Sequence, residues 1–303
     1  MPDSKLSIKA FSNIFILAYK EFKQNDPLRL AGATAFFTTF ALPAILIILV
    51  QIIGLVFSKE SLSGKLFLSL TKILGQDGAK QIQQTFWGFK SLATNTFISA
   101  AGFIFLIFVA TTLFKIIKDS LNQLWNVRIA DNKPAIQLAG RFTSLVIILL
   151  SGILFVAALL AEGLEAVLHR YTGSWHSLTG NVLDGFVNQV ISVIVVTIWF
   201  SVLFKMLPDA KVSWRVVLPG GLFTGVLFSI GKIFIRTALS AGNLNNIFGA
   251  SGSIVLLLLF VFYCSFILYY GACFTKVYAL FVKDPIKAAP YAIKYKLVEV
   301  KSD

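Results

Sequence analysis

Long apolar runs are the feature that most restricts how this chain can fold. Hydrophobic residues make up 57% of its 303 residues and charged residues only 14%, whereas a soluble domain is usually about one-quarter charged. A helix rises about 1.5 Å per residue, so roughly 20 apolar residues cross the hydrocarbon core of a bilayer. The sequence therefore predicts an all-α, polytopic integral membrane protein.

Six runs are long enough to be transmembrane helices. They cover residues 33–57, 96–114, 142–161, 185–207, 216–239 and 253–282. The predicted organisation is an amphipathic cytoplasmic segment at 1–32, a six-span domain at 33–282 and a basic cytoplasmic tail at 283–303. Between the first two spans, residues 58–95 repeat apolar side chains at helical spacing, which predicts amphipathic helices at the outer membrane surface.

The N-terminal segment also has a helical pattern. Phe11, Phe15, Ala18 and Phe22 share one stripe, which is typical of a helix lying in the membrane interface. Asp26 and Pro27 then predict the start of the next helix, because Asp caps free N–H groups and Pro suits the first helical turn. Residues 1–30 lack an uninterrupted apolar core, so we expect no cleavable signal peptide.

The basic residues predict the orientation and argue against nucleic acid as a partner. With both termini inside, most of the 27 Lys and Arg residues fall in cytoplasmic loops, as the positive-inside rule requires. They flank apolar runs instead of forming one basic face, so the net charge of +13 does not indicate nucleic-acid binding.

The sequence has few residues suited to catalysis or metal binding. Its two histidines, His169 and His176, share a predicted external loop with Glu162 and Glu165. Solvated loop residues are the simpler interpretation, so we expect no metal, no cofactor and no enzyme activity. Cys264 and Cys273 lie on opposite faces of one predicted helix, which excludes a disulfide between them.

Two prolines predict helix breaks or hinges. Pro43 lies inside the first span and leaves the Thr39 carbonyl without its usual N–H donor. A static kink explains this, but Thr38 and Thr39 could satisfy the break, or Gln51 and a water could line a pathway. In the fifth span, Pro219, Gly220 and Gly221 begin a small-residue ridge that continues through Gly225 and Ser229. The ridge predicts tight packing within the bundle, with a hinge or a homodimer contact as alternatives.

Lys232 and Arg236 lie one helical turn apart near the outer end of the fifth span. Long basic side chains in that position can snorkel to the interface or bind an anion, such as a lipid headgroup or an anionic solute. We group them with Gln51, Asn188 and Gln189 as candidate substrate-pathway residues, because polar side chains inside a span are expected to face a cavity.

Five short motifs resemble the YihY/BrkB family of bacterial inner-membrane proteins, which was historically labelled ribonuclease BN. The motifs are Asp26 with residues 31–37 and Pro43; residues 121–127, which include Asn122 and Trp125; Leu207-Pro208-Asp209; Trp214 with residues 219–221; and residues 249–253 with the later 269–273. The last motif contains Gly271 and usually reads Gly-Ala-Glu in the family, so Cys273 departs from it.

The resemblance implies six spans and an inner-membrane location, with relatives linked to virulence and suspected of moving lipids. The resulting hypothesis is a transporter for an anionic or amphipathic envelope substrate, with Asp26, Asn122 and Trp125 forming an inner gate or fixing helix register. Simple capping and interface anchoring are the alternative roles for these three residues. The alternative function is a scaffold or envelope-assembly factor. Ribonuclease activity is not expected, because the predicted cytoplasmic side has no cluster of His and carboxylate residues that could hold the metals RNA hydrolysis usually needs.

Overall fold

The structure is a computed structural model. It describes residues 8–53, 68, 71, 79–80, 83–84, 96–130, 138–150, 153, 178–240 and 252–296. Most of the external segment 58–95, both histidines, Glu162 and Glu165 lie outside the described residues, so the predictions made for them remain predictions.

The protein is mostly helical. Its helices are α1 (Ile8–Gln24), α2 (Pro27–Ile53), α3 (Thr96–Leu124), α4 (Leu138–Leu150), α5 (Leu178–Met206), α6 (Trp214–Ser240) and α7 (Gly252–Phe281). Helix α2 begins at Pro27, as the Asp26-Pro27 pair predicts. Helix α3 continues well beyond the predicted end of the second span at residue 114, so its last turns extend past the apolar run.

Two described stretches are long and apolar enough to cross a membrane by length and composition. They are Trp214–Lys232 in α6 and Leu258–Phe281 in α7, while the apolar parts Leu138–Leu150 and Ser192–Met206 are shorter. The predicted count of six spans therefore remains a prediction.

Helix α7 is central to the packing. It contacts α1, α2, α3 and α6, while α2 also packs on α3 and α5 packs on α6. The core between these helices is apolar and includes Leu121, Phe204, Val217 and Tyr269, all buried. Burial of these side chains joins the helices into one bundle.

The apolar stripe of α1 packs against α7, and a position of this helix in the membrane interface stays a prediction. Ala18 and Phe22 are buried, and the Phe22 ring lies 4.7 Å from the Phe266 ring and 5.4 Å from the Tyr270 ring. The sequence pattern identifies the apolar face of a helix but not the surface that covers it.

In the part of the chain that the structure describes, four short strands form two antiparallel pairs at one end of the bundle. β1 (Val127–Ile129) pairs with β4 (Ala292–Lys294), and β2 (Ala210–Lys211) pairs with β3 (Lys287–Ala288). The C-terminal segment 282–296 thereby crosses the α3–α4 and α5–α6 connections. Strands this short carry no readable alternation, which is why the sequence did not predict them.

Neither proline interrupts its helix. α2 runs through Pro43 and α6 runs through Pro219 as continuous α-helices, and a local break or hinge at either proline stays a prediction. The hydroxyls of Thr38 and Thr39 donate to the carbonyls of Thr34 and Ala35. These two hydroxyls therefore do not donate to the Thr39 carbonyl, which lacks its usual N–H donor because residue 43 is proline.

Candidate functional site

Asp209 connects three parts of the chain at the end of the bundle that carries the strands. Its side chain is 1% exposed, and its Oδ1 lies 2.8 Å from Lys118 Nζ of α3. Asn122, one turn later on α3, donates from Nδ2 to Asp209 Oδ2 at 2.8 Å and accepts the Asp209 N–H at 2.8 Å. A buried carboxylate needs this compensation, because an unpaired charge is costly away from water.

The C-terminal segment completes the surroundings of Asp209. Tyr291 donates its hydroxyl to Asp209 Oδ1 at 3.0 Å, and the Ala289 N–H donates to the Asp209 carbonyl at 2.9 Å. Burial and the negative charge of Asp209 raise the pKa of Tyr291 to about 12. The phenol therefore stays protonated at neutral pH and remains a hydrogen-bond donor.

A second polar cluster surrounds Lys276 of α7. Its Nζ donates to Asn126 Oδ1 at 2.6 Å, to the Leu124 carbonyl at 2.8 Å, and to Glu21 Oε1 of α1. Asn126 has a left-handed backbone, with φ of 54°, which Asn tolerates better than most residues. Lys276 thus joins α1 and α7 to the turn that ends α3.

Trp125 fixes the position of α3 on α7. Its ring is 1% exposed, and Nε1 donates to the Ala272 carbonyl at 3.0 Å. Indole N–H groups usually find an acceptor when buried, and here the acceptor lies on another helix.

The small-residue ridge of α6 brings that helix very close to α5. A Cβ atom at Gly225 would lie 2.9 Å from Thr197 Oγ1, and one at Gly221 would lie 2.8 Å from the Thr197 carbonyl. The predicted tight packing is therefore present. The ridge is covered by α5 within the same chain and is not available for a homodimer contact, so a homodimer through another surface stays a prediction.

The same α5–α6 interface carries polar groups further along α6. Lys232 Nζ donates to Ser192 Oγ of α5 at 3.2 Å. Thr197 Oγ1 and Ser229 Oγ are buried without a hydrogen-bond partner. Within the described residues Lys232 has no carboxylate within salt-bridge distance. We call these four residues the α5–α6 seam; it combines one cation with two unsatisfied hydroxyls.

Comparison with known proteins assigns the chain to a family. The profile described as virulence factor BrkB matches residues 18–291. The chain belongs to the BrkB family. A match over this much of the chain includes both polar clusters and the α5–α6 seam.

Relatives of this BrkB family protein are named UPF0761 membrane proteins. Those of Stenotrophomonas maltophilia R551-3 and Saccharophagus degradans are each 23% identical, over 85% and 91% of this chain, and that of Mannheimia succiniciproducens is 24% identical over 82%. The chain covers 58%, 62% and 83% of these relatives' respective lengths. No solved structure matches the chain. The protein is accordingly a helical membrane protein of the BrkB type.

Four of the five BrkB motif positions are buried, and Asp26 is the exception. Asn122 and Trp125 are buried and bind other segments, which favours a role in fixing helix register over simple capping or interface anchoring. Gly271 lies beneath Thr224 of α6, and Pro208 is buried beside Asp209. Asp26 precedes α2, and its largely exposed carboxylate lies 3.8 Å from Arg29.

The candidate pathway residues are only partly described. Among the five predicted members, Lys232 reaches the α5–α6 seam and Gln189 is half-buried on α5. Gln51, Asn188 and Arg236 lie in helices α2, α5 and α6, and their side chains lie outside the described part of the structure. Their convergence on one cavity therefore remains a prediction.

Several important residues were not selected from the sequence. They are Lys118, Asp209, Tyr291, Glu21, Lys276, Ser192 and Thr197. Asp209 had a signal, because it is an acidic residue directly following an apolar run in the Leu207-Pro208-Asp209 motif. The others had none, since their partners are distant in sequence and chosen by the packing.

Proposed function

We propose that this BrkB family protein is a transporter-like inner-membrane protein that moves an anionic or amphipathic envelope substrate, such as a lipid, along the α5–α6 seam. The proposal includes six spans, cytoplasmic N and C termini, and no catalytic step. Membrane lipids surround the bundle, and the substrate itself is a small anion or a lipid.

The contacts at one end of the bundle support the proposed topology. Arg29 near the start of α2 donates to Gln123 near the end of α3 at 3.3 Å. The end of α5, the start of α6 and the end of α7 meet at the same end, through the contacts of Asp209 and the strand pairs. This alternation supports an even number of crossings. It also collects basic residues at one end, as a cytoplasmic face requires.

Lys232 is the observation that carries the proposed substrate class. Its ammonium group is half-buried between two helices and has a neutral hydroxyl as its described partner. A desolvated cation without a counter-ion favours binding of an anion. The unpaired hydroxyls of Thr197 and Ser229 add hydrogen-bond donors along the same interface.

Reconstitution into liposomes tests the proposal directly. The purified protein is compared with Lys232→Met and with Lys232→Ala/Arg236→Ala, following movement of a fluorescent phospholipid between leaflets and efflux of a trapped anionic dye. Lys20→Ala, which removes one exposed charge from α1, is the matched control. We expect at least about a tenfold loss of rate for the seam variants, equivalent to about 1.4 kcal/mol of barrier.

Two results would contradict the proposal. One is wild-type movement no faster than in protein-free liposomes for either probe. The other is equal loss in Lys20→Ala, which would indicate a general charge effect. The first result would favour the alternative function, a membrane scaffold or envelope-assembly factor acting through the external segment 58–95, and the second would exclude a specific role of the α5–α6 seam.

A further inference from the structure

Two lysines lie directly opposite each other in the pair of strands β2 and β3. Lys211 and Lys287 are register partners in this antiparallel pair, and both are exposed. Side chains directly opposite in such a ladder project to the same side with Cβ atoms about 4.5–5.5 Å apart. Like charges in this relationship repel, so the strand pair is weakened unless an anion lies between them.

The neighbouring acidic side chains are already bound elsewhere. Asp209, next to β2, accepts hydrogen bonds from Lys118, Asn122 and Tyr291. Asp284, at the start of the C-terminal segment, accepts the Ser213 hydroxyl. Within the part of the chain that the structure describes, neither Lys211 nor Lys287 forms a salt bridge. Among the described residues, no carboxylate therefore competes with an external anion for Lys211 and Lys287.

The lysine pair lies at the end of an apolar stripe on α6. The stripe consists of Trp214, Leu218, Leu222, Val226 and Ile230, which are 50%, 47%, 50%, 42% and 56% exposed. Neither α5 nor α7 covers it, and in a membrane protein such a surface faces lipid chains. An exposed Trp at the end of the stripe is typical of the headgroup level. Lys211 precedes Trp214 by only three residues, so the lysine pair lies at that level too.

We infer that Lys211 and Lys287 bind the phosphate of an anionic phospholipid whose acyl chains lie along the α6 stripe. The anion removes the repulsion between β2 and β3 while the apolar chains cover Trp214, Leu218 and Leu222. Because β3 belongs to the C-terminal segment and β2 to the α5–α6 connection, the lipid stabilises their pairing. This site is separate from the α5–α6 seam and does not depend on transport.

Thermal unfolding in a neutral detergent tests the site. The wild type is compared with Lys211→Gln/Lys287→Gln in detergent alone, with added phosphatidylglycerol, with phosphatidylcholine and with inorganic phosphate. Lys294→Gln/Lys296→Gln is the matched control, since it also removes two exposed positive charges, and Lys294 lies opposite Val127 instead of a second cation. Lys287→Arg keeps the charge and is expected to behave like the wild type.

We expect phosphatidylglycerol to raise the Tm of the wild type and the control by about 3 °C or more, and the Lys211/Lys287 variant by less than half of that. In detergent alone this variant should unfold at the same temperature as the wild type or higher, because the repulsion is gone. Equal stabilisation of wild type and variant would overturn the inference. So would an equal effect of phosphatidylcholine, or of inorganic phosphate, which would indicate a free anion instead of a lipid.

Discussion

The side chain of Thr224 on α6 lies over Gly271 of α7, in the space that a Cβ atom of Gly271 would occupy. Thr275 of α7 lies in the same way over Gly220 of α6. Each hydroxyl donates to the carbonyl of the glycine one turn earlier on its own helix, at 2.7 Å. The two Gly/Thr pairs therefore interlock reciprocally, and they hold α6 and α7 in one antiparallel register.

Replacing Gly271 with Ala should destabilise the protein by about 1–3 kcal/mol, because the new methyl group overlaps Thr224. The check is denaturant unfolding in detergent micelles. Gly32→Ala is the control, since a Cβ there has no neighbour within 4 Å and Ala is a better helix former than Gly. If Gly271→Ala were as stable as Gly32→Ala, the close approach of the two helices would be wrong.

Removing one charge of the Lys118–Asp209 pair should lower the free energy of unfolding more than removing both charges. Lys118→Met leaves a buried carboxylate beside Asn122 and Tyr291, which is expected to cost about 3–5 kcal/mol. The double variant Lys118→Met/Asp209→Asn removes both charges and should recover part of that loss. Equal instability of the single and double variants, measured by the same unfolding assay, would argue against a direct charge interaction.

Trp125→Phe should cost about 1–3 kcal/mol, because the indole N–H that pairs with the Ala272 carbonyl is lost and a buried acceptor loses a partner. Trp214→Phe is a suitable comparison, since Trp214 is 50% exposed and should change stability by less than about 0.5 kcal/mol. Tryptophan fluorescence and unfolding curves of both variants measure this difference. Similar losses for both would indicate that Trp125 acts only through its apolar area.

Asn126 allows its backbone and its side chain to be tested separately. Asn126→Gly keeps the left-handed conformation easily but loses the 2.6 Å contact with Lys276, whereas Asn126→Ala loses the contact and adds about 1 kcal/mol of backbone strain. We therefore expect Ala to unfold more easily than Gly, despite the usual preference for Ala. The reverse order in the unfolding assay would show that this turn relaxes out of the left-handed region.

The sequence predicts those features of the fold that depend only on local pattern. The apolar runs gave helices α2, α3, α5, α6 and α7 near their observed positions, and the Asp26-Pro27 pair gave the start of α2. The spacing of Gly221 and Gly225 gave a close helix contact. These predictions succeed because length, periodicity and missing side chains are properties of one segment.

The tertiary structure decided which segments meet. It placed Asp209 between α3 and Tyr291, Lys276 between α1 and Asn126, and the apolar face of α1 against α7. It also paired Lys211 with Lys287 across more than seventy residues of sequence. Composition and periodicity carry no information on such partners, because a buried ion pair or a two-residue strand is specified by the packing of distant segments. The sequence alone thus determined a helical membrane bundle, whereas the polar contacts that organise one of its ends arise only when the helices pack.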